Sequence, residues 1–193
     1  MTTFNVERFK ASLTNGGARP NQFLVQLSFP TYVSAQSIAV ARSPFLVNAS
    51  SLPGQTMSPA IVMYRGREVG FAGDRVFQPW TINVLNDAEM SIRNAVEEWM
   101  NGMEDLRDKF GYLQPSSYQR DISVFQLDRN GNILKSYKLA SAFPMDLGEV
   151  PLSFDQNDQI STFPVTFRYQ YFETSANPLG GIVDFGGLFN RAI

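Results

Sequence analysis

The chain has 193 residues, with 16 Lys and Arg against 18 Asp and Glu, and contains neither cysteine nor histidine. Their absence removes disulfides, thiolate nucleophiles, the usual zinc sites and imidazole acid–base catalysis together. The formal net charge of −2 runs opposite to the basic face that a general nucleic-acid binder needs. A hydrophobic fraction of 44% and a charged fraction of 18% are those of a globular protein, and the length suits one domain with a sizeable core. Sixteen phenylalanines favour β-structure. No apolar run approaches the ~18 residues of a membrane helix, and the N-terminal MTTFNVERFK lacks a signal core, so neither membrane binding nor export by a signal peptide is expected.

In chain order, residues 1–18 read as a short helix or an arm, with Phe4, Val6, Phe9 and Leu13 in one stripe and Asn15-Gly16-Gly17 ending it. From Gln22 to Phe29 the apolar residues Phe23, Val25, Leu27 and Phe29 alternate with Gln22, Gln26 and Ser28, which predicts a strand. Residues 31–55, broken by Pro44, Pro53 and Gly54, read as a loop-rich insertion with a short strand at Phe45–Val47. Met57–Tyr64 is an expected strand weakened by Pro59. Arg65-Gly66-Arg67 and Gly70–Asp74 read as turns, and strand character resumes over Arg75–Leu85.

Asn86 opens the expected helix, with Glu89 three residues on in capping-box spacing. Its stripe is Ile92, Val96, Trp99, Met100 and Met103, and Gly102 is its expected stop. Residues 104–119 are polar and loop-like. Ile122–Leu127 and Ile133–Leu139 form a predicted hairpin, since Asn130-Gly131 between alternating runs is a strong turn signal.

The stretch Phe143–Glu173 organises the rest. Phe163, Val165, Phe167, Tyr169 and Tyr171 alternate with Thr162, Thr166, Arg168 and Gln170, which predicts a long strand with one apolar and one polar face. Pro164 cannot donate to a ladder, so full pairing is expected after it. Val150, Leu152 and Phe154 alternate with Glu149, Ser153 and Asp155, predicting a partner strand joined through the polar turn Asp155–Gln159. The order of strands, one helix, then strands predicts a mainly β fold: an antiparallel β-barrel or sandwich flanked by one α-helix. The tail from Thr174 carries Ile182, Val183, Phe185, Leu188 and Phe189, more apolar surface than a free tail holds.

Several local pieces carry a resemblance. They are Ala18-Arg19-Pro20-Asn21; Leu52-Pro53-Gly54; Ala72-Gly73-Asp74-Arg75-Val76-Phe77 leading to Trp80-Thr81; Asn86-Asp87; and Phe143-Pro144 through Gly148-Glu149, Phe154-Asp155, Ile160, Phe163, Val165-Thr166 and Tyr171-Phe172-Glu173. In this order and spacing, over nearly the whole chain, the sequence resembles the tail tube proteins of contractile-tailed bacteriophages of the T4 type. Residues 31–52 are longer than in compact members and the tail after Glu173 is additional.

The resemblance implies a tube domain over residues 1–173 and a C-terminal intersubunit arm over 174–193. It implies hexameric rings to which each subunit gives strands, stacked into a tube through which double-stranded DNA passes without sequence-specific binding. The implied partners are further copies of the chain, the sheath, a tape-measure protein and the baseplate. The implied location is the virion tail, assembled in the host cytoplasm, and no cofactor or metal is implied. A related reading is the inner tube or tube-initiating protein of a contractile injection or secretion system, or of a baseplate.

Two other classes compete on the residues alone. An enzyme could use paired carboxylates such as Glu149 and Asp155, but solvated strand-face acids are by far the better account of them, and no catalytic constellation is present. A nucleic-acid module could use Arg65, Arg67 and Arg75, against salt-bridged turn arginines in an acidic chain. On the tube reading, the polar strand faces line the channel: Glu149, Ser153 and Asp155; Thr162, Thr166, Arg168 and Gln170; and Thr81 and Asn83. Arg168 is expected to pair with Glu149 or Asp155. No basic residue lies between Lys138 and Arg168, whereas Asp146, Glu149, Asp155 and Asp158 do. The tail residues Ile182, Val183, Phe185, Leu188 and Phe189 are expected between subunits, and ring closure by addition of exposed strand edges.

Overall fold

A computed structural model describes residues 5–13, 17–111, 114–155 and 157–176. Phe4, Asn15 and Gly16 of the predicted N-terminal element and the five tail residues expected between subunits lie outside the described residues. The elements are α1 (Val6–Ser12), β1 (Phe23–Gln26), α2 (Gln36–Leu46), β2 (Val47–Ser50), β3 (Gln55–Tyr64), β4 (Arg67–Phe77), β5 (Trp80–Leu85), α3 (Ser91–Met103), α4 (Pro115–Tyr118), β6 (Arg120–Leu127), β7 (Ile133–Leu147), β8 (Thr162–Arg168) and β9 (Tyr171–Ala176).

The alternation at Phe163–Tyr169 sits at the centre. β7, 15 residues long, pairs antiparallel with β8 through its second half and with β9 through its first. The two arms form one bent hairpin. The bend on β7 falls at Ser141, whose φ is +54°. Asp121 supports it by accepting the Ser141 N–H at 3.1 Å on one oxygen and the Lys138 ammonium at 2.8 Å on the other. Opposite the bend, Gln170 N–H donates to the Ala140 carbonyl at 3.1 Å.

The bend carries the chain between two halves of a seven-stranded sheet ordered β1-β6-β7-β8-β5-β2, with β9 beside β7. Every ladder among the described residues is antiparallel. The sheet curls until β1 and β2 come near each other, and no ladder joins them among the described residues. This is the predicted mainly β, antiparallel barrel-like architecture.

Its inward face buries Val25, Ile122, Val124, Leu139, Phe163, Val165, Phe167, Trp80, Ile82 and Val84. The expected stripe of α3 closes the core with Ile92, Val96 and Trp99 buried, and Met100 and Met103 packed at its border. Trp99 meets Phe29 edge-on at 5.5 Å and Phe167 at 6.1 Å, and its indole N–H donates to the Tyr118 carbonyl at 2.7 Å.

Several segments differ from the sequence reading, each for a local reason. The insertion folds as α2, a second long helix, followed by the strand β2, and Phe45 and Leu46 of the expected short strand belong to the helix. Pro44 lies in its last turn and has no N–H for the Val40 carbonyl, and the Ser43 hydroxyl donates there instead at 2.9 Å. Buried Ser43 also accepts the Leu27 N–H at 3.1 Å, fixing α2 to the end of β1. β1 is shorter than the alternation suggests, yet Leu27 and Phe29 beyond it remain buried.

Gly102 does not stop α3, which runs on to Met103. A Cβ there would lie 2.2 Å from the Tyr32 ring, whose hydroxyl donates to the Trp99 carbonyl at 2.9 Å. The glycine therefore admits a ring rather than ending a helix. β8 begins before Pro164, which faces Asn83 across the β5 ladder. On the β7 side the register does start after it, at Leu147–Val165, and the Pro164 carbonyl accepts the Gly148 N–H at 2.8 Å. The predicted partner strand over 149–155 is not formed. Residues 148–155 and 157–161 are loop, with Leu152 and Phe154 exposed, because β7 has already supplied the partner over Phe143–Leu147.

The helix α3 starts at Ser91, not at Asn86, and Asp87 does the capping. One Asp87 oxygen accepts the Ser91 N–H at 2.8 Å, and the other accepts the Ser91 hydroxyl at 2.7 Å and pairs with Arg42 of α2. Glu89, the expected capping-box partner, also pairs with Arg42, at 2.7 Å. Burial pushes the Asp87 carboxyl up, but hydrogen bonds from Ser91 and Arg42 outweigh it and leave the pKa below the usual carboxylate value. A depressed folded-state pKa gives stabilisation that is full above the unfolded-state value and is lost as pH falls through the folded one, that is, below about pH 4. Asp87→Ala is expected to cost about 1 kcal/mol at pH 7 as a lost cap. Thermal unfolding of Asp87→Asn should show a shallower acid decline than the parent chain, and an identical decline would remove Asp87 from this role.

Candidate functional site

The outward face of the β5–β8–β7 region is polar where the inward face is apolar, as the period of two requires. Thr81 and Asn83 of β5 and Thr162 and Arg168 of β8 are exposed, and Thr166 is half-buried beside them. Register puts Thr81 opposite Thr166, and their hydroxyls hydrogen-bond at 2.9 Å. Asp146 of β7 faces Thr166 from the other side, continuing the row.

Five of the nine residues expected to share one polar surface are thus brought together on a single sheet face. Gln170 sits at the bend between β8 and β9. Glu149, Ser153 and Asp155 do not join the face as a strand and lie exposed on the loop over 148–155. The expected pairing of Arg168 is not formed either. Among the described residues it has no ion pair with Glu149 or Asp155, because those acids left the ladder, and its cross-strand neighbour is Phe143.

The second feature is a ribbon that the sequence reading had as one strand, two turns and the start of the strand expected over Arg75–Leu85, which in the structure divides into the end of β4 at Phe77 and β5 from Trp80. β3 and β4, 10 and 11 residues long, pair only with each other among the described residues. At the tip, Arg65 and Gly66 have φ of +48° and +79°, the double positive φ of a two-residue hairpin turn. Gly70–Asp74, read as a turn, is strand. What looked like turn chemistry at Gly73 is a bulge: register shifts between Met57 and Pro59, and a Cβ on Gly73 would lie 2.6 Å from the Ser58 carbonyl oxygen. At the root, Phe77 packs at 5.9 Å from Tyr169 and 5.4 Å from Phe172.

Beyond that root the ribbon stands off the body, and every residue of β3 is exposed. At about 3.3 Å per residue it projects roughly 30 Å. A lone two-stranded ribbon is marginal in water. The signal that could have found it is the symmetry of apolar residues about Arg65-Gly66, with Tyr64 facing Arg67 and Val62 facing Val69.

No group of three or more His, Cys, Asp or Glu residues poised for a metal occurs among the described residues. No described helix is long and apolar enough to cross a membrane. The arrangement offers surfaces for other chains: a polar sheet face, an exposed ribbon, and edges of β1, β2 and β9 that are unpaired among the described residues.

Comparison with known proteins agrees with such a shape. The tail tube protein of Enterobacteria phage T4 is 29% identical over 157 residues, spanning 81% of this chain and 91% of that protein. The tail tube protein of Serratia phage KSP90 is 27% identical over 166 residues, spanning 85% and 93%. Among solved structures, a chain of the anti-feeding prophage baseplate superposes with a TM-score of 0.59 at 15% identity, over 84% of this chain and 97% of that one. A chain of the sheath–tube complex of an extracellular contractile injection system, in the extended state, gives 0.52 at 14% identity, over 90% and 99%. At those identities the likeness is one of fold. The sequence profile of the phage tail tube protein family matches residues 18–175, and the chain belongs to that family.

Proposed function

We propose that this chain closes hexameric rings that stack into the inner tube of a contractile tail and serve as a conduit for double-stranded DNA. As a tail tube protein it is a structural component of the phage particle. The observation that carries the ring reading is the β3–β4 ribbon, long, apolar and uncovered in a single subunit. Such a ribbon needs another chain, and further copies of this one are the chains that a tube supplies.

Ring closure uses main-chain pairing at the free edges, which a closed ring then removes. The channel wall is the polar sheet face with Thr81, Asn83, Thr162, Thr166 and Arg168. Gln170 lies at the bend, and the loop over 148–155 hangs Glu149, Ser153 and Asp155 at the margin. DNA presents a phosphate charge every ~1.7 Å and would adhere to a basic wall. Hydroxyls and amides repeated around a ring, with the cation Arg168 outnumbered by Asp146 on the same face and by Glu149 and Asp155 at its margin, instead give a conduit that holds nothing, and the repetition multiplies each subunit's charge. The sheath, baseplate and tape-measure protein complete the set of partners.

Electron microscopy of the purified chain, alone and on a baseplate template, is expected to show hollow tubes. A chain that stays monomeric under both conditions overturns this reading.

The tail is an intersubunit arm on this reading. β9 continues to Ala176, paired with Lys135, so a truncation that spares the sheet ends at Ala176. The chain ending there is expected to fold with an unchanged unfolding temperature and to form tubes that dissociate at lower denaturant. Loss of the fold would place the tail in the core of its own subunit.

A second reading, the tube of a related contractile injection system, draws on the fold shared with the sheath–tube complex. Purified particles carrying capsids and DNA favour the phage tail, and capsid-free particles loaded with protein favour the other.

A further inference from the structure

The register of the ribbon separates its side chains into two faces, because residues directly opposite on an antiparallel pair point the same way. Ile61 faces Gly70 and Met63 faces Glu68, which puts Ile61 and Met63 on one side. Val62 faces Val69 and Ala60 faces Phe71, which puts Val62, Val69 and Phe71 on the other. Both sides are open in the subunit: Ile61 is 56% and Met63 63% exposed, and Val62 is 54% and Phe71 59% exposed.

A ribbon that lies on one neighbour and shows its back to water alternates apolar with polar residues. This one does not. Ala60-Ile61-Val62-Met63 has no polar position, and neither has Val69-Gly70-Phe71-Ala72 on the return strand. Continuous apolar runs of this kind belong to strands covered on both faces. Charge is confined to the ends, with Arg65, Arg67 and Glu68 at the tip and Asp74 and Arg75 near the root.

We infer that in the assembled tube the β3–β4 ribbon is sandwiched, its two faces covered by two different copies of this chain. The inference rests on the tube reading and adds to it who covers what. The faces point in opposite directions, so one copy beside the ribbon cannot cover both. In a stack of rings the two occupants are a neighbour in the same ring and a subunit of the adjoining ring. Area argues the same way. A two-stranded ribbon of this length and about 10 Å width offers roughly 300 Å² on each face, against about 800 Å² per partner in a stable pair. Neither face alone secures a neighbour, and lateral closure and stacking therefore reinforce each other.

The chain contains no cysteine, so single introduced thiols report on each face. Ile61→Cys and Met63→Cys mark one side, Val62→Cys and Val69→Cys the other. Two positions per face provide a substitute where one disturbs assembly. All four are expected to react freely with a maleimide in the dissociated subunit. In tubes verified by electron microscopy, each is expected to react at least about tenfold more slowly, the factor that corresponds to an opening cost of about 1.4 kcal/mol. Tubes in which one face keeps the free-subunit rate overturn the sandwich and leave the tube reading standing. Absence of tubes from the unmodified chain sinks the tube reading and the sandwich with it.

Discussion

Trp99→Ala is expected to be the most damaging single substitution in the body of the subunit. The indole is fully buried and lies where α3, the chain near Phe29 and β8 converge, with rings at 5.5 and 6.1 Å. Removing it opens a large cavity at a point held by three elements, and such truncations cost about 3–5 kcal/mol. It also takes the indole donor from the part-buried Tyr118 carbonyl, which accepts it at 2.7 Å, and the lost hydrogen bond adds to the cost. Against a total stability of about 5–15 kcal/mol, the loss is a large share. The unfolding temperature should fall by roughly 10 °C or more for a chain of this size, with soluble yield falling as well. Trp99→Phe separates the two contributions: it keeps most of the packing and loses the donor, so it should lie between the parent and Trp99→Ala. A drop of a degree or two in Trp99→Ala would mean that α3 is not the lid of the core.

The body of the fold was legible because its strands and its main helix bury one face and wet the other. Phe163, Val165 and Phe167 alternate with Thr162, Thr166 and Arg168 and do in the structure what the period demands. The stripe Ile92, Val96, Trp99 is likewise buried. Three things escaped that pattern. The helix α2 is short-sided and carries Pro44, and its compensating Ser43 hydroxyl bond is a single-residue device with no periodic trace. The Val150-Leu152-Phe154 alternation is real in sequence, but both edges of its expected partner β8 are taken, by β7 through Leu147 and by β5. Alternation predicts that a strand could form, and tertiary pairing decides whether it does. That one displacement moved Glu149, Ser153 and Asp155 off the sheet and cost Arg168 its expected partners. The ribbon was hidden for the opposite reason. With both faces apolar and glycines at 66, 70 and 73, it lacks the two-fold polarity that marks a half-buried strand, and its glycines imitate turns. The residues that look least regular are those that await other chains.

Excising the ribbon tests that idea on the largest scale. Deleting Thr56–Val76 and joining Gln55 to Phe77 through a two-residue glycine-containing turn is geometrically mild, because Gln55 and Phe77 are already a cross-strand pair. Phe77 stays, and with it the ring contacts to Tyr169 and Phe172. The removed strand β3 is exposed along its whole length, so little burial within the subunit is lost. The unfolding temperature is expected to stay within a few degrees of the parent, as for surface changes of about 0.5 kcal/mol. Tube formation, in contrast, is expected to vanish. Roughly 600 Å² of ribbon surface over both faces is taken from contacts with neighbours, and at about 25 cal/mol per Å² of apolar area this is at most about 15 kcal/mol for every subunit in the stack, of which the cost of association leaves only a part. Circular dichroism with thermal melting reads the first outcome, and electron microscopy with sedimentation reads the second. A shortened chain that no longer folds would make the ribbon part of its own subunit's stability, which its exposure argues against. A shortened chain that still builds tubes would leave edge pairing and the tail to carry the assembly, and would take from the ribbon the role that its apolar faces assign to it.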